Sequence, residues 1–388
     1  MPSDSPFAAT LEKSFKTSAD FEYLRQVIMR EVTDGPVPIL EMMVDGSIMG
    51  RVTGLDYSVD RMSEIREMFN YSKFSPEEVL EKYFQFIDLT ISFSKVVGYD
   101  SVLGFASVPL QHTKAVFSQA DGKVSSRPWQ NEHSGLIQNR SAFEAYPWPD
   151  TASINVDSFD YMAQFLSPGM KIHMMYMGVF EDLRSLMGFE TMALASIDEP
   201  ELLDDIIEKL TVLAEAAIDK AAAHPSVGMI FYADDMGFKT STMLSPDFFR
   251  EKIMPSQKRC AVACHKHGKP FIFHSCGQID ALMEDLIEVV GIDGMHSFED
   301  VIEPVESVYE RYGHRISILG GVDVGLLSMG SPDEVRTRVR KILDTCGKNG
   351  GFALGSGNSV TNYVKIENYY AMIDETRKWN EEQGLSFG

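Results

Sequence analysis

Short apolar runs alternate along the chain with segments whose apolar residues recur at helical spacing. Most of these runs are nearly continuous, which is typical of parallel strands that are covered on both faces. Their lengths suit strands rather than buried helices. The pattern predicts eight strands, at 37–43, 101–106, 171–177, 227–235, 270–276, 294–298, 316–323 and 350–358.

Three of the intervening segments carry signals for the start of a helix. Ser75-Pro76, Ser245-Pro246 and Ser331-Pro332 each place a capping serine before a proline, which suits the first helical position. The first and third also have a glutamate three residues after the serine, which completes a capping box. Strands and helices therefore alternate, and the sequence predicts an α/β protein.

Eight βα units are the number that closes a TIM barrel, the (β/α)8 fold in which helices surround a parallel sheet. We therefore predict one barrel over residues 37–388 and an N-terminal helical extension at 1–36. The extension would either pack beneath the barrel or form the contact of a homodimer. The long connection at 107–170, after the second strand, is predicted to be a cap-like insertion or lid.

Composition and charge narrow the choice of partners and of compartment. The chain has 57 acidic and 35 basic residues, a net charge of −22, which repels nucleic acid and anionic membrane surfaces. No run approaches the roughly 18 apolar residues of a membrane span, and the N-terminal sequence lacks the layout of a secretory signal. Four cysteines in 388 residues do not suggest a disulfide framework, so we expect a cytoplasmic protein with reduced thiols.

Polar residues at the carboxyl ends of the strands are the candidate functional residues, because that end of a TIM barrel surrounds the active site. His274 and Cys276 end the fifth strand, and a spacing of two directs both side chains to one face. Histidine and cysteine are both residue types that bind zinc, and a catalytic zinc site takes three protein ligands. Glu41, Asp234 or Asp235 could supply the third. The alternative is a hydrogen-bonded histidine beside a small buried cysteine.

Other rim residues suggest acid–base and binding roles. Asp234 and Asp235 are consecutive, so one should face the barrel interior while the other caps or orients a loop. These two aspartates and His296 are the candidate proton donors and acceptors. Methionine and phenylalanine near the strand ends suggest an apolar pocket. The predicted substrate-binding residues are Met42, Met177, Met236, Phe238, Asp323 and Asn358.

Longer motifs carry a family resemblance. Between about residues 168 and 380 the chain contains, in order, FYADDMGFKTSTMLSPDFFREKIMP, HKHGKPFIFHSCGQI, GIDGMHSFE, ISILGGVDV and GGFALGSGNSV. Together these segments resemble the uroporphyrinogen decarboxylase superfamily. The resemblance implies the same (β/α)8 barrel that the alternation of strands and helices predicts.

The superfamily has two main functional branches, and a few residues discriminate between them. The decarboxylases, which bind a tetrapyrrole with eight carboxylates, carry an arginine-rich run near the first strand. Here that region reads EMMVDGSIMGRV and offers Arg51 alone. The corrinoid-dependent methyltransferases have a zinc motif that begins with H-x-C on the fifth strand, which His274 and Cys276 match. The coenzyme M enzymes add a second cysteine near strand eight, where this chain has Ser356 and Asn358.

The resemblance therefore implies a methyltransferase of the corrinoid-dependent, O-demethylase branch. Zinc, held by His274, Cys276 and a carboxylate, for which we choose Glu41 over Asp234 and Asp235, would act as a Lewis acid, because a site with one thiolate is more electrophilic than a site with two. We expect a methyl group to pass from a small donor, preferably an aromatic methyl ether, to a cobalamin. The cobalamin would be carried by a separate corrinoid protein, since this sequence has no D-x-H-x-x-G run.

Two other functions stay open at this point. One is a uroporphyrinogen decarboxylase-like lyase that acts on a less anionic substrate, uses Asp234 or Asp235 as acid or base, and needs no metal. The other is a non-catalytic relative that binds a small molecule and has no converging titratable groups at the barrel mouth. Metal bound at His274 and Cys276 would separate the methyltransferase from both alternatives.

Overall fold

A parallel sheet of seven strands forms the centre of the protein in a computed structural model. The structure describes residues 18–55, 76–111, 119–120, 123–124 and 135–387. The sheet strands are β1 (Ser101–Gly104), β4 (Lys171–Met177), β5 (Val227–Ala233), β6 (Phe271–His274), β7 (Gly294–His296), β8 (Ser317–Leu319) and β9 (Phe352–Ala353), and a separate antiparallel pair is β2 (Gln119–Ala120) with β3 (Lys123–Val124). Sheet neighbours follow chain order, from β1 and β4 through β9, and every pair is parallel.

Helices follow the sheet strands and pack on the outer face of the sheet. The predicted alternation, and with it the α/β TIM-barrel fold, is confirmed. The α-helices are Phe21–Ile28, Gly46–Thr53, Pro76–Val97, Arg140–Ala145, Asp157–Ala163, Val179–Met187, Phe189–Asp198, Pro200–Ala223, Pro246–Phe248, Met254–His265, Asp280–Asp285, Val305–Tyr312, Val324–Met329, Pro332–Cys346 and Ile366–Glu382, with a 3₁₀ turn at Thr151–Ser153 and π-helical turns at Phe249–Ile253 and Leu286–Val290. No described helix has the length and apolar content that a membrane crossing needs.

Two of the predicted helix starts are formed as the sequence indicates. The Ser331 hydroxyl accepts a hydrogen bond from the Glu334 N–H, and the Glu334 carboxylate accepts one from the Ser331 N–H at 2.8 Å, which is the reciprocal pattern of a capping box. The Ser245 hydroxyl accepts from the Phe248 N–H at 3.2 Å. Ser75 lies outside the described residues.

The first predicted strand, 37–43, is not a regular strand, which is a correction to the sequence prediction. Pro38 lacks an N–H, so this segment cannot form a complete ladder. A single parallel bridge joins Ile39 to Leu354, and the Leu40 N–H donates to the Leu354 carbonyl at 2.9 Å. The segment therefore sits beside β9 at the eighth position of the barrel.

A buried histidine connects this segment to the opposite edge of the sheet. His173 on β4 has Nε2 at 3.1 Å from the Met42 carbonyl and Nδ1 at 2.9 Å from the Ser101 hydroxyl. Burial lowers the pKa of His173 to about 4, so the ring is neutral at pH 7. A neutral ring donates from Nε2 and accepts at Nδ1, which satisfies both contacts. Hydrogen bonds of the His173 side chain thus link the first segment to β1, in place of backbone pairing between them.

The barrel interior is an apolar layer made by alternate residues of the strands. It contains Leu103, Met175, Met229, Phe231, Ile272, Leu319 and Ala353 from the strands, with Leu40 and Met42 from the first segment. Phe21, Leu24 and Ile28 of the N-terminal helix belong to the same layer. This helix therefore packs beneath the barrel and closes its lower end. Residues 1–17 of the predicted extension lie outside the described residues.

The described part of the long connection packs on the outer helix Pro200–Ala223. The Lys220 ammonium donates to the carbonyls of Thr151 and Ile154, both at 3.0 Å. Arg140 pairs with Asp205 on the same helix. Residues 112–118, 121–122 and 125–134 lie outside the described residues, so a lid over the mouth stays a prediction.

Leu24→Ala is expected to lower the free energy of unfolding by about 2–5 kcal/mol, because it leaves a cavity in the layer that closes the barrel. Met29→Ala changes a 38% exposed side chain at the end of the same helix and should alter the free energy by about 0.5 kcal/mol or less. Denaturant unfolding measures both values. If Leu24→Ala lowered the free energy of unfolding as little as Met29→Ala does, the helix would not close the barrel.

Candidate metal site at the barrel mouth

Three side chains with metal-binding atoms converge at the carboxyl end of the sheet. His274 ends β6, Cys276 lies two residues further on, and Asp235 follows the end of the neighbouring strand β5. His274 Nε2 lies 3.5 Å from Cys276 Sγ and 3.6 Å from Asp235 Oδ1. The three ligand atoms all lie within 4.8 Å of one another, so together they could hold one metal ion.

Strand pairing brings His274 and His296 to the same level of the barrel. Ala233 on β5 pairs with His274, and His274 pairs with His296 on β7. The Phe231 ring, one layer lower, lies edge-on to His296 with ring centroids 5.8 Å apart. The site therefore rests on the apolar layer, which excludes water from below.

The two histidines share one hydrogen-bonding proton. Their Nδ1 atoms are 2.7 Å apart, a distance that needs one N–H donor and one acceptor. Burial lowers the pKa of His274 although the Asp235 charge opposes it, and burial followed by the His274 ring lowers the pKa of His296 well below its usual range. When His274 donates from Nδ1, its neutral ring presents an unprotonated Nε2, the form that binds a metal.

The neighbouring aspartates face opposite directions, as their consecutive positions predict. Asp234 is fully buried outside the barrel, where it accepts from the Glu181 N–H at 3.0 Å and from Gln257 Nε2 at 2.8 Å. Burial raises the pKa of Asp234 to about 7 despite these donors. Asp234 therefore anchors the start of the helix Val179–Met187, while Asp235 belongs to the metal-binding cluster.

Two glycines allow the loops after β5 and β6 to cross beside the cluster. Gly277 has φ +82°, a conformation that disfavours L side chains, and a Cβ there would lie 2.3 Å from the Gly237 backbone. The Gly237 N–H donates to the Cys276 carbonyl at 3.2 Å, and the Cys276 N–H donates to Asp235 Oδ1 at 2.8 Å. Sequence reasoning missed this crossing, for which the glycines in DDMG and HSCG were the available signal.

Glu41 does not join the cluster, which corrects the predicted ligand set. Its carboxyl group accepts from the Ser356 N–H at 2.8 Å and lies 2.5 Å from the Ser356 hydroxyl. Burial raises the pKa of Glu41 to about 8 despite these contacts. The Ser356 hydroxyl is also 2.7 Å from the Asn358 carbonyl, and it has one hydrogen for two acceptors. A protonated Glu41 that donates to the hydroxyl satisfies all of these groups.

Comparison with known proteins identifies the family. The protein-family model for uroporphyrinogen decarboxylase (URO-D) matches residues 142–379, more than half of the chain. The chain belongs to the URO-D family. The superfamily and the barrel that the sequence motifs implied are therefore confirmed.

Two curated relatives of this URO-D family member are both named uroporphyrinogen decarboxylase. The protein from Methylococcus capsulatus is 24% identical over 188 residues, which cover 47% of this chain and 50% of that protein. The protein from Xanthomonas euvesicatoria is 30% identical over 179 residues, which cover 44% of each chain. The chain spans about half the length of the curated relatives it matches.

A solved structure with the same fold is a methyltransferase from Methanosarcina mazei. The TM-score is 0.61 at 16% sequence identity, and the alignment covers 92% of this chain and 97% of that one. At this identity the similarity concerns the fold. It extends over nearly the whole of both chains.

The predicted apolar substrate residues divide into two pairs in this URO-D fold. Met177 and Phe238 lie at the rim and are 45% and 53% exposed. Met42 is buried in the interior layer, and Met236 is fully buried outside the sheet, with its sulfur 3.5 Å from Gln257 Nε2. Met42 and Met236 are therefore core residues, and only the other pair can reach a ligand at the mouth.

The two predicted polar substrate residues have structural partners. Asp323 caps the helix Val324–Met329, where its carboxylate accepts from the Gly325 N–H at 2.7 Å. Asn358 lies beside the cluster, with Nδ2 at 3.2 Å from Cys276 Sγ. Both residues line an open cavity of about 660 Å³, which the three cluster residues do not line.

Glu41→Gln is expected to flatten the dependence of stability on pH. The pKa of Glu41 is about 8 in the folded protein against an ordinary 4.5, so the folded protein keeps a proton that the unfolded chain releases. Between these two values rising pH therefore favours unfolding, by up to about 1.4 kcal/mol per pH unit. Unfolding titrations from pH 5 to 8 should show a steeper decline for the unchanged protein than for Glu41→Gln.

The exposed residue Glu367 offers a matched control for this measurement. Glu367→Gln should show the same decline of stability with rising pH as the unchanged protein. If Glu41→Gln also left the slope unchanged, Glu41 would be ionised in the folded protein, and the proton assigned to its contact with Ser356 would be wrong.

Proposed function

We propose that this chain is the methyltransferase component of a corrinoid-dependent system. It moves a methyl group from a small donor, preferably an aromatic methyl ether, to the cobalt of a cobalamin on a separate corrinoid protein. The observation that carries the proposal is the convergence of His274 Nε2, Cys276 Sγ and an Asp235 oxygen within 4.8 Å at the barrel mouth. Three such donors with an open fourth position are the pattern of a catalytic zinc site.

The donor set fits zinc, which accepts nitrogen, sulfur and oxygen ligands. His274 Nε2, Cys276 Sγ and Asp235 would hold the ion, and the hydrogen bond between the Nδ1 atoms of His274 and His296 is compatible with the required tautomer of His274. Bound there, zinc would supply Lewis acidity to the ether oxygen as the methyl group leaves. The single thiolate favours this role, because a second thiolate would make the site more electron-rich.

The surroundings of the cluster suit an aromatic donor. Met177 and Phe238 expose apolar surface at the rim, and an open cavity of about 660 Å³ is lined in part by Asn358, which contacts Cys276. Phe231 and the apolar layer lie beneath, so a ring bound at the mouth would be shielded from water on that side. Adaptable methionine and aromatic contacts suit a planar apolar substrate.

The proposed transfer balances without an added oxidant or reductant. The bond between methyl carbon and ether oxygen breaks, and its electron pair stays on the oxygen as a phenolate, which then takes a proton from water. An electron pair of cobalt(I) forms the new bond to carbon. Of the residues predicted as acids or bases, Asp234 anchors a helix and His296 is buried against His274, so among these three only Asp235 has a partly exposed side chain at the mouth.

A separate corrinoid protein is the partner that we infer for this reaction. Side chains fill the barrel interior below the cluster, so the cobalamin would have to approach from the open mouth. Large apolar side chains are exposed in the connections that follow β7, β8 and β9, among them Val301, Met329 and Tyr363 at 75%, 81% and 57%. Exposed apolar surface of this kind is typical of protein interaction sites.

A lyase of the uroporphyrinogen decarboxylase kind is the second candidate. It is supported by the names of the two curated relatives and by the position of Asp235, whose side chain is 33% exposed at the mouth. In that case Asp235 would transfer a proton and no metal would be needed. Asp234, the other residue considered for this role, is turned away from the mouth.

Protein purified without chelator is expected to contain close to one zinc ion per chain, measured by elemental analysis. Cys276→Ala should lose the zinc, because it removes the thiolate ligand. Cys346→Ala changes a buried cysteine outside the cluster and should keep it. Full zinc content in Cys276→Ala would exclude the proposed ligand set.

Methyl transfer is expected only when an aromatic methyl ether and a corrinoid protein in the cobalt(I) state are both supplied. Absorbance should then show conversion to methylcobalamin, with release of an equal amount of the phenol. Asp235→Ala should abolish the reaction, whereas Asp247→Ala, at an exposed helix start, should not affect it. Release of carbon dioxide from a carboxylated substrate without corrinoid protein would instead support the lyase.

A further inference from the structure

Two side chains on different loops favour the charged form of the Cys276 sulfur. Asn358 Nδ2 donates to Sγ at 3.2 Å, and the Ser297 hydroxyl lowers the pKa of the Cys276 thiol. A neutral thiol is a weak acceptor, so the Asn358 amide donor is better matched to the thiolate. Burial and the Asp235 charge raise the pKa of the Cys276 thiol, and both donors oppose the rise.

The orientation of the Asn358 amide is fixed by a second contact. The Ser359 N–H donates to Asn358 Oδ1 at 2.8 Å, so the oxygen end of the amide is occupied and the NH₂ end must face the sulfur. The Asn358 carbonyl lies 2.7 Å from the Ser356 hydroxyl, which Glu41 contacts from the other side. Both the side chain and the backbone of Asn358 are therefore held in place.

Ser297 occupies a backbone conformation that a non-glycine residue rarely adopts. Its φ is +99°, and it directly follows His296 at the end of β7. Strained residues of this kind persist where the surrounding structure holds them, and they cluster at functional sites. Here the residue in this conformation is one whose hydroxyl lowers the pKa of the Cys276 thiol.

We infer that Asn358, together with Ser297, sets the negative charge on the Cys276 sulfur and thereby the electron donation of this sulfur to a bound metal. The inference rests on the proposed function. Each donor withdraws charge from the thiolate, so the metal stays electrophilic, as a Lewis acid acting on an ether oxygen requires. Asn358, predicted as a substrate-binding residue, thus becomes a positioning residue that acts through Cys276.

Cobalt(II) substitution of the full chain tests the inference by spectroscopy, because a cobalt–thiolate bond gives a charge-transfer band in the near ultraviolet. Asn358→Leu removes the donor at similar size and should move this band to longer wavelength, since a more charged sulfur gives up its electron more easily. Ser297→Ala should shift it in the same direction, and the double variant should shift it further. The cobalt content should stay at the level of the unchanged protein.

Two further variants make the result decisive. Asn349→Leu makes the same substitution at an exposed position before β9 and should leave the band in place. Asn358→Asp keeps the shape of the side chain and the acceptor for the Ser359 N–H, so it tests the donor even if Asn358→Leu does not fold. In methyl transfer, Asn358→Asp should lower kcat about tenfold with little change in KM.

The outcomes separate this inference from the function on which it rests. A band that stays in place in both Asn358 variants and in Ser297→Ala, with cobalt bound, contradicts the inference and leaves the metal site intact. Failure of the unchanged protein to bind cobalt or zinc contradicts the metal site itself, and the proposed function with it.

Discussion

The parallel pairing of β5, β6 and β7 in one register is the constraint on which the candidate site depends. The pairs Ala233 with His274 and His274 with His296 set two imidazoles side by side at the upper end of the barrel. The spacing of two then brings Cys276 to the same face as His274. A shift of one residue in any of these pairings would turn the ligands into the outer helical layer.

The interior beneath the site is apolar, and the buried His173 ring has a hydrogen-bond partner at each of its nitrogens. The N-terminal helix closes the lower end with Phe21, Leu24 and Ile28, and neutral His173 bridges the gap that the irregular first segment leaves. In such surroundings a lone charge would be costly, which favours neutral imidazoles and a protonated Glu41. The negative net charge of the chain is therefore not a guide to the charge of the site.

The hydrogen bonds around Cys276 come from chain segments that are far apart in sequence. Asp235, Ser297 and Asn358 all contact this residue, each from a loop that follows a different strand. Crossing glycines bring the loops of β5 and β6 close enough for direct backbone bonds. The result is a sulfur whose position and charge are controlled by several loops, as the ligand of a catalytic metal requires.

The sequence by itself determined the class of fold and the central pair of ligands. Continuous apolar strands alternating with capped helices indicate a barrel, and a period of two places His274 and Cys276 together, because both patterns depend on local geometry. The sequence also showed that only one of Asp234 and Asp235 could face inward. Strand register and loop crossings decide which of the two faces inward. They also decide that Glu41 bonds to Ser356 instead of joining the metal-binding cluster, and that Asn358 contacts the sulfur. Those features join residues up to 315 positions apart, and no local pattern encodes them.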